Sequence, residues 1–276
     1  MKSLNEYIIE GGFFKNVGAT QIEPKDKQEL IKIIDDTIYE HGPKCDLNFI
    51  DTSKIDDMSE LFYSSGFNGD ISNWDTSNVK DMNNMFKNSK FTGDISKWNV
   101  RNVKNMEYMF ANSIFNGDLS NWDVRNVKNM EYMFCNSSFT GDISKWNVKN
   151  VKKMSFMFDH SIFNGDISKW NVSKVENMMY MFADSRFNRD ISKWNVSSVK
   201  NMTFMFYNSQ FNGDISKWDV SNVKDTNTMF GNSIFNGDIS GWNIDIDNIV
   251  DSRYMFMNSK LKKLNKIPSW YELLRG

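Results

Sequence analysis

Cysteine, proline, histidine and leucine are scarce in this chain, and long apolar runs are missing. Its 276 residues include 2 Cys, 3 Pro and 2 His. Cys45 and Cys135 lie far apart in the sequence. Two such thiols form no disulfide framework and show no zinc-site spacing, so reduced thiols in a cytosolic setting are expected. Neither His41 nor His160 has a Ser or Cys nucleophile at a suggestive spacing. No Walker-type or dinucleotide glycine pattern occurs either, so an enzyme is not expected and no cofactor is called for. No stretch approaches the roughly 18 consecutive apolar residues of a membrane-spanning helix, so membrane insertion is not expected. The N-terminus lacks the basic segment, apolar core and small-residue cleavage site of a secretory signal, and has no lipobox cysteine. A net charge of −2 gives no electrostatic case for nucleic acid or for an anionic membrane surface.

Repetition is what the chain has in abundance. Phe recurs every 24 residues at Phe67, Phe91, Phe115, Phe139, Phe163, Phe187, Phe211 and Phe235. Trp follows each of them seven residues later, from Trp74 and Trp98 to Trp218 and Trp242. A fixed period of this size signals a solenoid, in which each unit buries its apolar face against its neighbours. With 40% hydrophobic residues, a chain of this length can bury a substantial core, here in one elongated domain.

Within a unit the pattern changes period. Gly165 to Trp170 is short, carries β-favouring apolar residues and follows an Asn-Gly turn signal, so it reads as a strand. Val103, Met106 and Phe110 then fall at i, i+3 and i+7, one face of a helix of about two turns. Asn88, Asn112, Asn136, Asn208 and Asn232 stand where a left-handed residue would close that helix. The expected architecture is α/β: a right-handed, leucine-rich-repeat-like solenoid of nine strand-turn-helix units, with strands stacked at about 4.8 Å.

The run Asp70-Ile71-Ser72-Asn73-Trp74-Asp75-Thr76-Ser77-Asn78-Val79, followed by Met82, Met85 and Phe86, resembles the repeat of BspA-like leucine-rich surface proteins. The resemblance covers about residues 43–260. It departs from a plain leucine-rich repeat because Phe, Ile, Trp, Val and Met take the places of Leu. It implies a surface or interaction protein and binding without catalysis. Fold alone names no partner.

Residues 1–10 read MKSLNEYIIE and are set off by Gly11-Gly12. This decapeptide resembles the capsid-targeting peptide of T-even bacteriophage internal proteins. The resemblance implies cleavage after Glu10, with Ile8 two residues before the cut and Gly11 after it. An ordinary terminal tail is the other reading. Residues 11–42 are expected to hold an irregular linker and an amphipathic capping helix. In that helix Pro24 takes a first helical position, Leu30, Ile33, Ile34 and Ile38 form the apolar stripe, and Gly42 marks the stop. The first repeat is degenerate, with Ile50 in the Trp place and Ile55 in the Val place. The last carries two extra residues between Trp242 and Ile249, and Ser252 in the place of a Met. Residues 261–276 read as a C-terminal cap through Leu261, Leu264, Ile267, Trp270, Leu273 and Leu274, with Pro268 starting a short helix.

Two surface features compete as functional sites. Asp70, Asp94, Asp118, Asp142, Asp166, Asp190, Asp214 and Asp238 would form a carboxylate ladder. Stacked carboxylates repel unless hydrogen-bonded or sharing a cation, so calcium is a possible ligand. Holding a turn through backbone N–H groups is the preferred reading, because the nonapeptide pattern of calcium-binding β-rolls is absent. The Phe, Trp and Met columns read as core packing. Tyr108, Tyr132, Phe156, Tyr180 and Phe204 would project from the outer helical face of five successive central units. They form either a protein-binding stripe or a surface covered by neighbouring turns. The expectation is a monomeric, protein-binding solenoid made in the cytoplasm and packaged in a virion. The alternative is a BspA-like adhesion protein that reaches the cell surface by a non-classical route.

Overall fold

A computed structural model describes residues 21–274; residues 1–10 and the expected cleavage site with Ile8, Glu10 and Gly11 lie outside them. One central coil shows how local chemistry shapes the chain. Asp118 Oδ1 accepts the Ser120 N–H at 2.8 Å, and the Trp122 N–H donates to the Leu119 carbonyl at 3.1 Å. The Val127 N–H reaches the Val124 carbonyl at 2.9 Å, and Asn129 Oδ1 accepts the Glu131 N–H at 3.0 Å. Met133 and Cys135 donate back three residues to Met130 and Tyr132. The coil is thus a string of tight turns, started repeatedly by Asp or Asn side chains that accept the N–H two residues on.

Neither the helix nor the strand expected within each repeat forms among the described residues. A helix would send the Phe110 N–H to the Met106 carbonyl; it goes to the Met133 carbonyl of the next coil at 3.0 Å. The Met106, Tyr108 and Asn112 N–H groups likewise donate to Asn129, Glu131 and Cys135 at 2.9 to 3.0 Å. Alternate N–H groups therefore leave the coil, while those between close turns inside it. Tyr108 and Asn112 have φ of 55° and 53°, left-handed values that interrupt any right-handed helix. Asn88, Asn136, Asn208 and Asn232 are left-handed too, as expected, but they close turns. The segment from Gly165 to Trp170 is also a turn, closed by the Trp170 N–H on the Ile167 carbonyl at 3.1 Å. The pairing between coils falls elsewhere, as isolated parallel bridges from Asp57–Asp81 through Asn105–Asn129 to Asn201–Asp225. Each joins residues one period apart, and the last, Asp225–Asp251, takes up the two extra residues.

Inside the stack, like residues lie on like. Val103, Met106, Met109 and Phe110 are fully buried, as are their counterparts along most of the chain. The Trp98 indole lies over Trp74 with centroids 6.3 Å apart and 4° between planes. Its Nε1–H donates to the Ile71 carbonyl of the preceding coil at 3.1 Å. The same bond recurs from Trp74 to Trp242, so every buried indole donor is satisfied.

Helix α1, Lys27–His41, covers the N-terminal end. It begins three residues later than Pro24 suggested, because the Asp26 side chain caps it by accepting the Glu29 N–H at 2.9 Å. Leu30, Ile33 and Ile34 are buried, Ile38 packs partly buried against the core, and Gly42 ends the helix at φ 81°. At the other end, α2 (Lys260–Lys263) and α3 (Ser269–Leu273) close the stack. Pro268 is the N-cap of α3. Leu261 and Tyr271 are buried, whereas Leu264 and Leu273, expected in the cap's apolar face, are exposed. Their place is filled by Trp270, which stacks on Trp242 at 6.3 Å and donates to the Ile239 carbonyl at 3.0 Å. The cap thereby extends the Trp column by one member.

Candidate functional site

The distance between stacked rings differs around the stack. Rings of the Phe91 column lie 6.1 to 6.5 Å apart, and those of the Phe110 column 5.5 to 5.8 Å. Tyr108, Tyr132, Phe156, Tyr180 and Phe204 stack at 4.2, 4.3, 4.5 and 4.5 Å. The hydrogen bonds follow the same gradient. Beside the five rings, coils are joined backbone to backbone. On the far side, side chains span the wider gap, as where Asn126 Nδ2 donates to the Arg101 carbonyl and Asn68 Oδ1 accepts the Thr92 N–H.

All five stripe residues are half-buried. Tyr108, Tyr132, Phe156, Tyr180 and Phe204 each have φ of 55° to 58°. It is this left-handed backbone, and not the outer face of a helix, that turns their side chains outward. Each ring covers the faces of its neighbours. At one end Lys87 Nζ lies 3.8 Å from the Tyr108 ring centroid, within cation–π range. At the other end Tyr207 meets Phe204 edge-on at 5.3 Å. Partial burial raises the Tyr108, Tyr132 and Tyr180 hydroxyls above the ordinary phenol range, so they stay neutral donors at physiological pH.

The Asp column holds turns. Asp94 Oδ1 accepts the Ser96 N–H at 2.9 Å, and Asp70, Asp118, Asp142, Asp166, Asp190, Asp214 and Asp238 repeat the contact. From Asp94 to Asp238 this backbone N–H is the main reason that the carboxyls titrate below their ordinary value. The column is thus accounted for by turn chemistry, with no part required of calcium.

A third grouping was invisible from spacing within a unit. His160 Nδ1 lies 3.0 Å from Asp159 Oδ1, and its Nε2 lies 3.7 Å from Asp184 Oδ2 on the next coil. Cys135 Sγ, one coil back, lies 3.7 Å from the other Asp159 oxygen. Burial first, then the neighbouring Asp159 charge, pushes the Cys135 thiol up to about 12. That is the wrong direction for a nucleophile. The signal was present as deviation from the repeat: His160 and Asp184 occupy two successive places in a column otherwise filled by Asn, from Asn88 and Asn112 to Asn232 and Asn258.

Among the described residues no helix is long and apolar enough to cross a membrane. No curated protein and no solved structure matches the chain. A family model described as "Mycoplasma protein of unknown function, DUF285" matches three overlapping stretches, residues 37–139, 113–210 and 163–270. The stretches overlap because the pattern repeats, and together they run from the end of α1 into α3. The chain is therefore a repeat protein, and it belongs to that Mycoplasma family of unknown function.

Proposed function

We propose that this repeat protein is a non-enzymatic, monomeric, right-handed solenoid that binds a protein partner along the face carrying Tyr108, Tyr132, Phe156, Tyr180 and Phe204. The observation that carries the reading is the unbroken stack of five half-buried rings, with centroids 4.2 to 4.5 Å apart. It ends where Asn84 and Thr228 replace the aromatic. Aromatic residues are enriched at protein interfaces, and the curved face of a repeat stack is a common binding surface. The BspA-like resemblance supports binding of this kind. The test places a photo-crosslinking phenylalanine analogue at Tyr132 or Tyr180, and at Lys97 on the far side as control. Protein adducts from the stripe positions and none from Lys97 are expected. Equal yields from both faces, or none from either, would remove the stripe as the site.

For the setting, packaging in a phage capsid rests on Met1 to Glu10 alone, with cell-surface display as the alternative. An intact mass corresponding to a chain that starts at Gly11 supports packaging. A native chain that keeps its first ten residues removes it.

A further inference from the structure

We propose that Asp159, His160 and Asp184 form a binding site for a divalent first-row transition metal of the zinc type.

The repeat supplies its own control, because each position recurs on neighbouring coils that share the same backbone. The column of His160 and Asp184 is otherwise an amide ladder, in which Asn112 Nδ2 donates to Asn88 Oδ1 at 2.8 Å and Asn136 Nδ2 to Asn112 Oδ1 at 2.9 Å. The fold is therefore satisfied by Asn at this place. Beside it, Asp159 and Cys135 stand in a column that holds Ala111 and Ala183 on the coils flanking them. Two deviations from the Asn ladder, His160 and Asp184, thus meet Asp159 of a variable column on successive coils.

Their geometry fits an ion. Oxygen and nitrogen atoms of Asp159, His160 and Asp184 all lie within 4.8 Å of one another. The closest separations are 3.0 and 3.7 Å. Ligand atoms on a tetrahedral ion with bonds of about 2.0 to 2.3 Å are about 3.2 to 3.7 Å apart, so these three side chains need little movement and a water would take the fourth position. Asp159 is only 8% exposed, and a buried carboxylate gains most from a cation. His160 is largely exposed, which leaves its ring free to turn one nitrogen to the ion and leaves a route for entry. Asn208 Nδ2 donates to Asp184 Oδ1, orienting that carboxylate as an outer-shell partner would. One imidazole nitrogen and two carboxylates suit zinc or cobalt, whereas calcium and magnesium take larger all-oxygen shells.

The test uses the full, tag-free, reduced chain titrated with Co2+ and separately with Zn2+. The wild type is expected to take up one equivalent of Co2+, with the visible absorption of a tetrahedral site, and Cys135→Ala should keep that absorption. The double variant His160→Asn/Asp184→Asn restores the residue that the repeat uses elsewhere, so it should melt like the metal-free wild type while binding Zn2+ at least tenfold more weakly. Absence of Co2+ absorption and of Zn2+ binding heat in the wild type would overturn the site, as would an unchanged Zn2+ isotherm in the double variant. A near-ultraviolet thiolate-to-cobalt band would overturn the three-residue ligand set.

Discussion

The Trp170 indole donates to the Ile143 carbonyl at 3.1 Å from a position 3% exposed. Trp170→Phe keeps an aromatic ring but orphans that carbonyl, which should cost about 1 to 3 kcal/mol. Trp170→Ala also opens a cavity and should cost about 3 to 5 kcal/mol. Urea melts of both variants would show the order, and equal losses would mean that the N–H contributes nothing beyond the ring. The Asp column predicts an acid limb. Because backbone N–H groups depress the folded carboxyl values from Asp94 to Asp238, their stabilisation is complete above the unfolded value of about 3.9. It is lost as pH falls through the lower folded values. Asp159 and Asp225, raised by burial, act in the opposite sense, but they are outnumbered. The urea midpoint should hold between about pH 7 and 5, then fall below about pH 4. Asp142→Asn/Asp166→Asn should flatten that fall; an unaltered limb would show that these turns do not titrate with folding. At this scale the sequence was readable wherever one residue type serves one local need, as with Asp at turns and Trp in the core. The Cys135, Asp159, His160 and Asp184 grouping was not readable within any unit, since its members meet only through stacking between coils.

At the scale of the element, the apolar spacing misled for a physical reason. Turns that close every three or four residues bring Val103, Met106 and Phe110 to one side much as a helix would. What separates the two is the destination of the N–H groups, and that is decided by the neighbouring coil. Far-UV circular dichroism should therefore show only the modest helical signal of α1, α2 and α3. A spectrum with helix in every repeat would refute the turn architecture. Left-handed positions give a second check. Asn136 has φ of 49°, so Asn136→Val should destabilise by at least about 1 to 2 kcal/mol. Asn136→Gly should be far milder, as Gly accepts this backbone freely. By contrast α1 was readable, because its apolar stripe and its Gly42 stop are local. Only its start was misplaced, since an Asp cap competed with Pro24.

For the whole molecule, stability is a sum over coils and the contacts between adjacent coils. Deleting residues 187–210 removes one period and joins Ser209's counterpart Ser185, through Arg186, directly to Phe211. The shortened chain should fold and be shorter by about 4.8 Å in small-angle scattering. Deleting one residue fewer should fail, because every column would meet the wrong neighbour. Removing α1 should expose the buried face of the first coil around Leu47 and Met58 and cause aggregation.

The Trp column has an optical consequence. Its neighbouring indoles lie nearly parallel about 6 Å apart where their rings stack, at Trp74–Trp98, Trp146–Trp170 and Trp242–Trp270. Chromophores so arranged exchange excitation before they emit. Light absorbed by one coil is then emitted by another, and because neighbouring indoles lie nearly parallel, each transfer costs the emission little of its polarisation. Trp270, the half-buried member at the end of the column, becomes the place where a collisional quencher can drain indoles that it never touches.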